Sequence, residues 1–455
     1  MTVELCLHQP FQPPGLSRKP DSRRSDKMCI FNGRDYVFCD DSWQFLTYFS
    51  LWYRYGFDPL RMQNRVTKVL DHFERIYEIQ QKEEVAFEQV SDLLAAMNPL
   101  LLNLTKIQYA ELLETEFGLS RRFVEELAQA VTLVNYGQTV AIPSFVGMVS
   151  FAGSGAELWS VAGGNKQLPI HLAQFANARL LLNSKVDAIT YLGEHRFQVD
   201  YVRLDTESDE LKDHSEEYDY VIVATPMTSG SHIRFGNFTR REDLLKGIFE
   251  HYSMHQTVAT FVRGSPLPSY AGKAILSCDI DNKEGGSFFT SFSPLTPVNV
   301  SEQQQQAGQA TKDNNNNNNN DDPSAASGNA TGVFKLFSNN QLKTHDLYSF
   351  FDVIEEVREV IWHAYPEYGP NTVKQPFPPF KIRSGIYYLN AIEWAASAIE
   401  MSLIGGKNVA LLVCHELKLC NSKRAIVDEV SSGKRKLSED DFPPKNKRWK
   451  EQQEL

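Results

Sequence analysis

The chain has 455 residues and a formal net charge of −11, with 42% hydrophobic and 23% charged residues. This length accommodates two or three domains, and the composition is typical of a folded globular protein. The acidic balance argues against non-specific binding to nucleic acid, and no run of 18 or more apolar residues predicts a transmembrane helix.

Residues 1–27 contain four prolines and a cluster of basic side chains, without the apolar segment of a secretory signal. We expect this stretch to be disordered. The six cysteines form neither a C-x-x-C pair nor a zinc-binding pattern, which favours buried thiols over a disulfide framework. Four N-x-S/T triplets favour the secretory pathway, although such triplets also arise by chance. They begin at Asn103, Asn237, Asn299 and Asn329.

Residues 41–134 carry apolar side chains at helical spacing. An aromatic-rich stretch from Trp43 to Tyr55 is followed by a break at Gly56 and Pro59, and Ser120 is placed to cap a later helix. These helices are expected either to form ordinary core or to line a pocket for a long apolar substrate.

The helical pattern ends at Asn135–Gln138, and two adjacent glycines follow at Gly163 and Gly164. Paired glycines allow a backbone to approach a planar ligand closely. A helix is expected to begin near Pro169. The nearby Gly153–Gly155 completes neither G-x-G-x-x-G nor G-x-S-x-G, because position 158 is Leu and positions 152 and 156 are Ala.

Residues 178–226 alternate apolar and polar side chains, which predicts a β-meander. A charged turn at 205–217 is expected to lead into the apolar strand Tyr218–Ala224, which ends at Thr225–Pro226. Such a strand suits the middle of an α/β sheet, where ligands bind beyond the strand ends.

More strands are predicted at 258–262, 288–292 and 333–337. A segment at 301–332 that contains seven consecutive asparagines is expected to be a disordered surface loop. Thr344 is expected to begin a long helix that Pro366 ends. In the charged tail at 418–455, two basic clusters resemble a nuclear import signal, but basic tails are usually only solvated.

The stretch Gly385–Gly406 combines an apolar strand, a turn and a helix rich in small residues. The strand is expected at Ile386–Leu389 and the helix at Ile392–Met401, with Gly405 and Gly406 ending it. Such a unit aims a helix N-terminus at an electron-rich ligand. The same pattern also fits an ordinary buried strand–helix pair.

Several of these motifs, in this order, resemble those of the prenylcysteine oxidase family. The resemblance covers residues 30–417 apart from the asparagine-rich insertion. The motifs are Trp52–Phe57 with Leu60–Met62, Asn135–Gln138, Phe145–Gly147, Leu158–Trp159 with Gly163–Lys166, Val221–Pro226, and Tyr387–Asn390 with Ile392–Glu393 and Ala395–Met401.

The resemblance implies an FAD-dependent thioether oxidase of the lysosome or secretory pathway. Such an enzyme removes hydride from the carbon next to the sulfur of farnesyl- or geranylgeranyl-cysteine. It consumes oxygen and water, and it releases cysteine, a prenyl aldehyde and hydrogen peroxide. The implied partners are therefore prenylcysteine and molecular oxygen, and no catalytic side chain follows from the resemblance.

The fold implied by the resemblance is α/β. An FAD/NAD(P)-binding, Rossmann-like domain would combine residues 178–226 with 376–417, and an α+β substrate domain would combine 28–177 with 227–375. Glu393 is expected near the ribityl hydroxyls of FAD, and Ala224–Thr225 near its pyrophosphate. The cofactor-binding residues expected in all are Gly163, Gly164, Val186, Ala224, Thr225, Asn390, Glu393, Trp394, Ala395 and Ala396.

One feature of related enzymes is missing from the sequence. Their FAD domain opens with a strand, a G-x-G-x-x-G turn and a helix that bind the pyrophosphate, and this sequence contains no such motif. We therefore expect an FAD domain without its first βαβ unit. Either the chain is incomplete, which the preserved 385–401 unit favours, or it is a catalytically dead relative that binds prenyl or other lipidic groups. The sequence does not distinguish farnesyl from geranylgeranyl substrates.

Overall fold

The computed structural model describes residues 18–20, 27–41, 43–154, 159–205, 208, 210–238, 249–279, 288–295 and 331–420. The α-helices are α1 Gln44–Tyr55, α2 Asp58–Phe73, α3 Arg75–Gln81, α4 Val90–Met97, α5 Pro99–Leu104, α6 Tyr109–Glu111, α7 Gln129–Tyr136, α8 Ser144–Ala152, α9 Gln167–Phe175, α10 Thr344–Tyr348 and α11 Ile399–Glu416. Two π-helical turns at Leu112–Glu116 and Phe123–Ala128 adjoin α6 and α7, and 3₁₀ turns cover Thr372–Lys374 and Leu389–Trp394.

The strands fall into four sheets. They are β1 Arg18–Pro20, β2 Lys27–Phe31, β3 Tyr36–Cys39, β4 Trp159–Val161, β5 Ser184–Gly193, β6 Arg196–Asp205, β7 Glu210–Tyr218, β8 Val221–Val223, β9 Arg234–Gly236, β10 Met254–Pro266, β11 Lys273–Ser277, β12 Ser291–Pro294, β13 Gly332–Ser338, β14 Phe351–Pro366, β15 Lys381–Arg383 and β16 Ile386–Tyr388. The sheet orders are β1-β4, β14-β10-β13-β12-β11-β2-β3, β15-β16-β8 and β7-β6-β5-β9. Mixed sheets and helices together give the α/β class that the sequence predicts.

The helical layer α1–α8 supplies most of the main core. In α2 the buried apolar residues Met62, Val66, Val69 and Phe73 recur every three or four positions, so they share one face. The same core contains β16 and the segment after it. The helical layer therefore packs directly against the end of β16.

The seven-stranded sheet has its own aromatic core. Phe292 stacks on Phe334 and Phe350 with ring centroids 5.4 and 5.6 Å apart, within a cluster separate from the main core. This sheet contains strands from both 28–177 and 227–375, the two parts of the expected substrate domain.

β8 and β16 pair in parallel, with Val221 opposite Ile386 and Val223 opposite Tyr388. A single FAD domain built from residues 178–226 and 376–417 requires this pairing, while the exact domain bounds stay a prediction. β8 is the outer strand of its described sheet, so the expectation that it lies in the middle of a sheet is wrong for the described part of the chain.

The long helix expected from Thr344 to Pro366 is wrong. α10 ends at Tyr348, and Phe351–Pro366 forms β14 along the full length of β10. β-Branched side chains favour a strand over a helix because their first side-chain torsion is restricted. This stretch contains five of them: Val353, Ile354, Val357, Val360 and Ile361.

The charged turn expected at 205–217 is also wrong. Glu210–Tyr218 forms β7, paired with β6 from Phe197–Tyr218 to Asp205–Glu210. The strand is exposed, and charged side chains suit an edge strand because they discourage pairing with another chain.

The helix expected at Ile392–Met401 has different bounds. A 3₁₀ turn ends at Trp394, and α11 begins at Ile399 and continues through Gly405 and Gly406 to Glu416. A Cβ atom at Gly405 would lie 2.9 Å from Cγ2 of Ile392 and 3.1 Å from the carbonyl oxygen of Leu389. This glycine therefore allows the helix to pack on the 3₁₀ turn and does not end it.

The expectation of buried thiols is wrong for four cysteines. Cys29 and Cys39 form a disulfide between β2 and β3, and Cys414 and Cys420 form one at the end of α11. Cys278 is a buried thiol, as expected. Cys6 lies outside the described residues.

Disorder was expected at 1–27, 301–332 and 418–455. Within these stretches Arg18–Pro20 forms β1, Gly332 begins β13, and Cys420 is disulfide-bonded. Residues 1–17, 21–26, 301–330 and 421–455 lie outside the described residues. None of the described helices combines the length and apolar character needed to cross a bilayer.

Other expectations are confirmed. α7 ends at Tyr136, and Gly137 follows in the left-handed conformation with φ +64°. α9 follows the glycine pair, and the strands expected at 258–262 and 333–337 are parts of β10 and β13. The strand expected at 288–292 begins later, at Ser291.

Candidate cofactor site

The carboxyl ends of β8 and β16 lie side by side. Because Val223 is opposite Tyr388, Ala224–Thr225 and Leu389–Asn390 leave the sheet at the same edge. Ala224 and Thr225 are exposed, and Asn390 is buried. Ligands of α/β proteins bind beyond this edge of a parallel strand pair. The structure thus brings together predicted residues from two distant parts of the sequence.

The amide oxygen of Asn390 has no hydrogen-bond partner among the described residues although it is buried. A buried acceptor without a donor costs free energy. Burial also raises the pKa of the Glu393 carboxyl, against hydrogen bonds from Asn390 and Ser402 that lower it. A ligand with several hydroxyl groups could donate to both side chains.

Trp394 is fixed within the core. Its Nε1 donates to the hydroxyl of Tyr388 at 3.3 Å, and its ring centroid lies 4.1 Å from that of Tyr252. The Tyr388 hydroxyl also accepts from the N–H of Met227. Burial raises the pKa of Tyr388 to about 12, so this hydroxyl keeps its proton at neutral pH.

Ala395 and Ala396 are fully buried after the 3₁₀ turn. Their N–H groups donate to the carbonyl oxygen of Ile392 at 3.0 and 3.3 Å. The helix N-terminus itself is at Ala398, which provides no side-chain cap. The N-terminus of this helix, and with it the positive end of the helix dipole, therefore lies further along the chain than Ile392, where the sequence predicted it.

The remaining predicted residues lie on other elements. Gly163 and Gly164 follow β4 in a turn whose described hydrogen bonds are local, from Gly164 N–H to Val161 and from Val161 N–H to Asn165. Val186 lies in β5 of the meander sheet. The described contacts do not join these three residues to Asn390, and their roles stay predictions.

Tyrosines from α3, from α7 and from the residues after β14 bond to residues 393–400, and sequence reasoning gave them no role. The hydroxyl of Tyr136 donates to the carbonyl of Ser397 at 2.9 Å, and that of Tyr368 donates to the carbonyl of Glu393 at 2.5 Å. Tyr77 donates to the buried carboxylate of Glu400. The motif Asn135–Gln138 was the available signal for Tyr136.

The chain is similar in sequence to known proteins. The sequence model of the family described as "Prenylcysteine lyase" matches residues 38–429. The chain is 31% identical over 418 residues to "Prenylcysteine oxidase 1-like" of Bos taurus, covering 90% of this chain and 78% of that protein. It is 32% identical over 406 residues to "Prenylcysteine oxidase 1" of Homo sapiens, covering 85% of this chain and 72% of that protein.

Putrescine oxidase is an example of a solved structure with a similar fold. A triple mutant of putrescine oxidase matches with a TM-score of 0.50 and 12% sequence identity, covering 88% of this chain and 83% of that chain. The fold is of the α/β class. The chain belongs to the prenylcysteine lyase family, which confirms the resemblance drawn from its motifs.

FAD is the cofactor of this family, and the residues at the strand ends fit it. The unpartnered oxygen of Asn390 and the carboxyl of Glu393 are acceptors for a polyol such as the ribityl chain. The exposed Ala224 and Thr225 offer small side chains beside them. FAD would supply the hydride-accepting chemistry, and the chain would supply orientation.

Proposed function

We propose that the chain is an FAD-dependent oxidase that cleaves the thioether of prenylcysteine. Water and molecular oxygen are consumed, and cysteine, a prenyl aldehyde and hydrogen peroxide are released. The observation that carries this proposal is the shared carboxyl edge of β8 and β16, where the buried amide oxygen of Asn390 has no hydrogen-bond partner among the described residues. The substrate class is supported by the relatives, which are prenylcysteine oxidases or proteins like them.

The apolar helical layer supports a prenylated substrate. Tyr136 of α7 and Tyr77 of α3 both bond to the segment that follows Glu393. A substrate that lies between this layer and the cofactor would meet apolar side chains along its isoprenoid chain. The protein's task is then to place the carbon next to sulfur against the flavin and to exclude bulk water.

We propose the lysosome or secretory pathway as its compartment. Disulfides persist in oxidising compartments, and the pairs Cys29–Cys39 and Cys414–Cys420 support this assignment. Asn237 of one N-x-S/T triplet is exposed, which supports glycosylation there.

We also propose that the FAD pyrophosphate requires a strand–turn–helix unit paired with the outer edge of β8. The edge of this strand is unpaired within the described sheet, and Ile222 is 47% exposed. The sequence contains no G-x-G-x-x-G turn of its own.

The direct test is to express the chain with added FAD, purify it and record the visible flavin bands. A yellow protein that produces hydrogen peroxide when farnesylcysteine is added supports the proposed oxidase function. If the chain is colourless, a G-x-G-x-x-G unit joined ahead of residue 28 should restore flavin binding. A protein that stays colourless with that unit contradicts the proposal.

A second candidate function is binding of prenyl or other lipidic groups without catalysis. The missing G-x-G-x-x-G turn favours it, and so do the exposed aromatic side chains of α1 and its N-cap, such as Trp43 at 73% and Tyr53 at 82% exposure. This function predicts that a colourless protein still binds farnesylcysteine, measured by quenching of tryptophan fluorescence, and releases no peroxide.

A further inference from the structure

Two buried tyrosines hold the segment that joins β16 to α11. This segment, residues 389–398, contains five of the predicted cofactor residues. The Tyr368 hydroxyl donates to the carbonyl oxygen of Glu393, and the Tyr136 hydroxyl donates to that of Ser397. The rings of Tyr136 and Tyr368 meet edge to face, with centroids 5.6 Å apart. They are therefore one unit, called the tyrosine pair below.

The tyrosine pair is itself held by a second layer of contacts. The Gln138 amide accepts from the N–H of Tyr368 at 2.7 Å and donates to the carbonyl of Pro366 at 3.0 Å. Tyr365 packs edge to face on Tyr136 at 5.2 Å. The two tyrosines thus come from α7 and from the residues just beyond β14, and Gln138 fixes the distance between those elements.

Gly137 allows the end of α7 to approach His255 and Asn339 closely. A Cβ atom there would lie 2.7 Å from Nε2 of His255 and 3.1 Å from Oδ1 of Asn339, and φ is +64°. Asn339 in turn donates to the carbonyl of Gly137 at 3.2 Å. The motif Asn135–Gln138 therefore joins the helical layer, the seven-stranded sheet and the 389–398 segment.

The hydroxyls are permanent donors. Burial, and then the neighbouring Tyr365, raise the pKa of Tyr136. Burial, and then Tyr136, raise the pKa of Tyr368 well above its ordinary value, against a hydrogen bond with the Ser397 backbone. Both side chains stay neutral at physiological pH, so the carbonyls of Glu393 and Ser397 always have a donor.

We propose that the tyrosine pair positions the 389–398 segment for the flavin, so that Tyr136 and Tyr368 are positioning residues of the oxidase. In a trans peptide the C=O and N–H point in opposite directions. Fixing the Ser397 carbonyl on the tyrosine side turns the N–H group of Ala398 away from it, and fixing the Glu393 carbonyl holds the end of the 3₁₀ turn in place. Preorganised N–H dipoles stabilise negative charge that develops on a bound ring. This inference rests on the proposed function.

The test compares Tyr136→Phe and Tyr368→Phe with Tyr365→Phe in the full chain. Tyr365 belongs to the same ring cluster, but in the described structure its hydroxyl donates to neither carbonyl, so its variant controls for general effects on packing. We expect both positioning variants to bind FAD about tenfold more weakly, the size of one lost hydrogen bond at a buried carbonyl. Tyr365→Phe should bind FAD as the wild type does.

Two further measurements separate positioning from stability. Hydrogen exchange of the 389–398 amides in the FAD-free protein should become faster in Tyr136→Phe and Tyr368→Phe and not in Tyr365→Phe. The reduction potential of bound flavin should become more negative in the same two variants, because the dipoles that stabilise reduced flavin are less well aligned. Equal FAD affinity and equal exchange in all three variants overturn the inference.

The same measurements distinguish a failure of the proposed oxidase function from a failure of the positioning role alone. If the wild type binds no FAD even with the G-x-G-x-x-G unit added, the oxidase proposal and the flavin role of the tyrosine pair fall together. If the wild type binds FAD and oxidises farnesylcysteine while the three variants match it, only the positioning role falls.

Discussion

Asn390 lies at the strand-end site with a buried amide oxygen that has no hydrogen-bond partner among the described residues. Replacing Asn390 by Leu removes the unpartnered acceptor, which favours stability, and also removes the hydrogen bond to Glu393, which opposes it. Because these two effects have opposite signs, the melting temperature of the FAD-free protein should change little. FAD affinity should fall about tenfold, because a donor on the cofactor loses its acceptor. Fluorescence titration with FAD and thermal melts of the FAD-free protein measure the two effects.

Asn408 provides the contrasting variant. Its Oδ1 accepts from the N–H of Phe87 at 2.9 Å, and its Nδ2 donates to the carbonyl of Phe87 at 2.8 Å, so both polar atoms of this amide already have a partner in the protein. Asn408→Leu should destabilise the FAD-free protein by about 1–3 kcal/mol, since it leaves two buried backbone groups unpaired. Equal stability losses at both positions would contradict a ligand role for Asn390.

Glu416 links the end of α11 to the β15–β16 hairpin. Its carboxylate accepts from Ser384 at 2.5 Å and Tyr387 at 2.7 Å, and it pairs with Lys381 at 2.8 Å. Burial alone would raise the pKa of this carboxyl, but the hydrogen bonds from Lys381, Ser384 and Tyr387 outweigh it and lower the pKa to about 2.

The pH dependence of stability follows from that lowered pKa. Below an ordinary value of 4.5 the unfolded chain binds a proton that the folded carboxylate resists, so the stabilisation is complete above 4.5 and is lost as pH falls toward about 2. Glu416→Gln should cost about 2 kcal/mol at pH 7, and the difference from wild type should shrink in acid. Urea unfolding across pH measures it.

Glu217→Gln is the control for the unfolding measurements on Glu416→Gln. It pairs with Arg196 on an exposed part of the meander, with both side chains more than half exposed. Exposed pairs contribute about 0–1 kcal/mol, so Glu217→Gln should have little effect. A loss in Glu416→Gln that stays constant from pH 7 down to 3 would contradict the assigned pKa.

At the scale of elements, the β10–β14 ladder requires a glycine. A Cβ atom at Gly264 would lie 2.1 Å from the carbonyl oxygen of Val353 on the neighbouring strand. Gly264→Ala must therefore push the strands apart and should destabilise the protein by about 2 kcal/mol or more. Gly369→Ala meets no atom within 4 Å and should be neutral or slightly stabilising. Thermal melts compare them, and equal melting temperatures would contradict the strand assignment of 351–366.

A second element-scale prediction concerns the disulfide between β2 and β3. The link joins residues ten positions apart, so removing it with Cys29→Ser and Cys39→Ser should cost about 2–3 kcal/mol through the entropy of the unfolded chain. The Cys414–Cys420 pair spans six positions and should cost less when removed. Melts with and without reductant test this, and a wild type insensitive to reductant would argue against both links.

The helices and strands show which features of the sequence were sufficient to predict secondary structure. The apolar strand at Val221–Val223 and the end of α7 at Gly137 follow from local composition and glycine conformation. Helical spacing could not predict β14, because its residues pair with β10 residues 85 to 112 positions earlier in the sequence, from Phe351 with Pro266 to Pro366 with Met254. Only that ladder decides between helix and strand. The two disulfides join cysteines only ten and six positions apart. They could not be predicted because spacing alone does not give the backbone geometry that a disulfide requires.

The candidate site could likewise be predicted from the sequence only in part. Motif resemblance located the strand ends at Ala224 and Asn390, and the structure places them at one edge. The roles of Tyr136 and Tyr368 required coordinates, because a hydroxyl bound to a backbone carbonyl leaves no pattern in a sequence. The start of α11 was misplaced because small residues suit a tight 3₁₀ turn as well as an α-helix.

At the scale of the whole molecule, the proposed compartment makes a prediction about glycans. Asn237 is exposed and adopts a left-handed backbone conformation with φ +61° after β9, so an oligosaccharide can be attached there without disturbing a core. Asn103 lies within α5, partly buried, and its triplet partner Thr105 is buried with its hydroxyl bonded to Leu102. Attachment at Asn103 would require that helix to open. The triplets at Asn299 and Asn329 begin outside the described residues.

Expression of the chain behind a secretory signal, followed by endoglycosidase digestion, tests this prediction. Asn237→Gln should remove one glycan's mobility shift, because the acceptor is accessible in the folded protein. Asn103→Gln should leave the mobility unchanged. The variants Asn299→Gln and Asn329→Gln measure the mobility shifts that come from the other two triplets. Tracking the Cys29–Cys39 and Cys414–Cys420 pairs by mass spectrometry in the same material tests the oxidising environment independently. A secreted, disulfide-bonded protein with no glycan at Asn237 would retain the compartment and overturn the glycan site, whereas free thiols at all four cysteines would overturn the compartment itself.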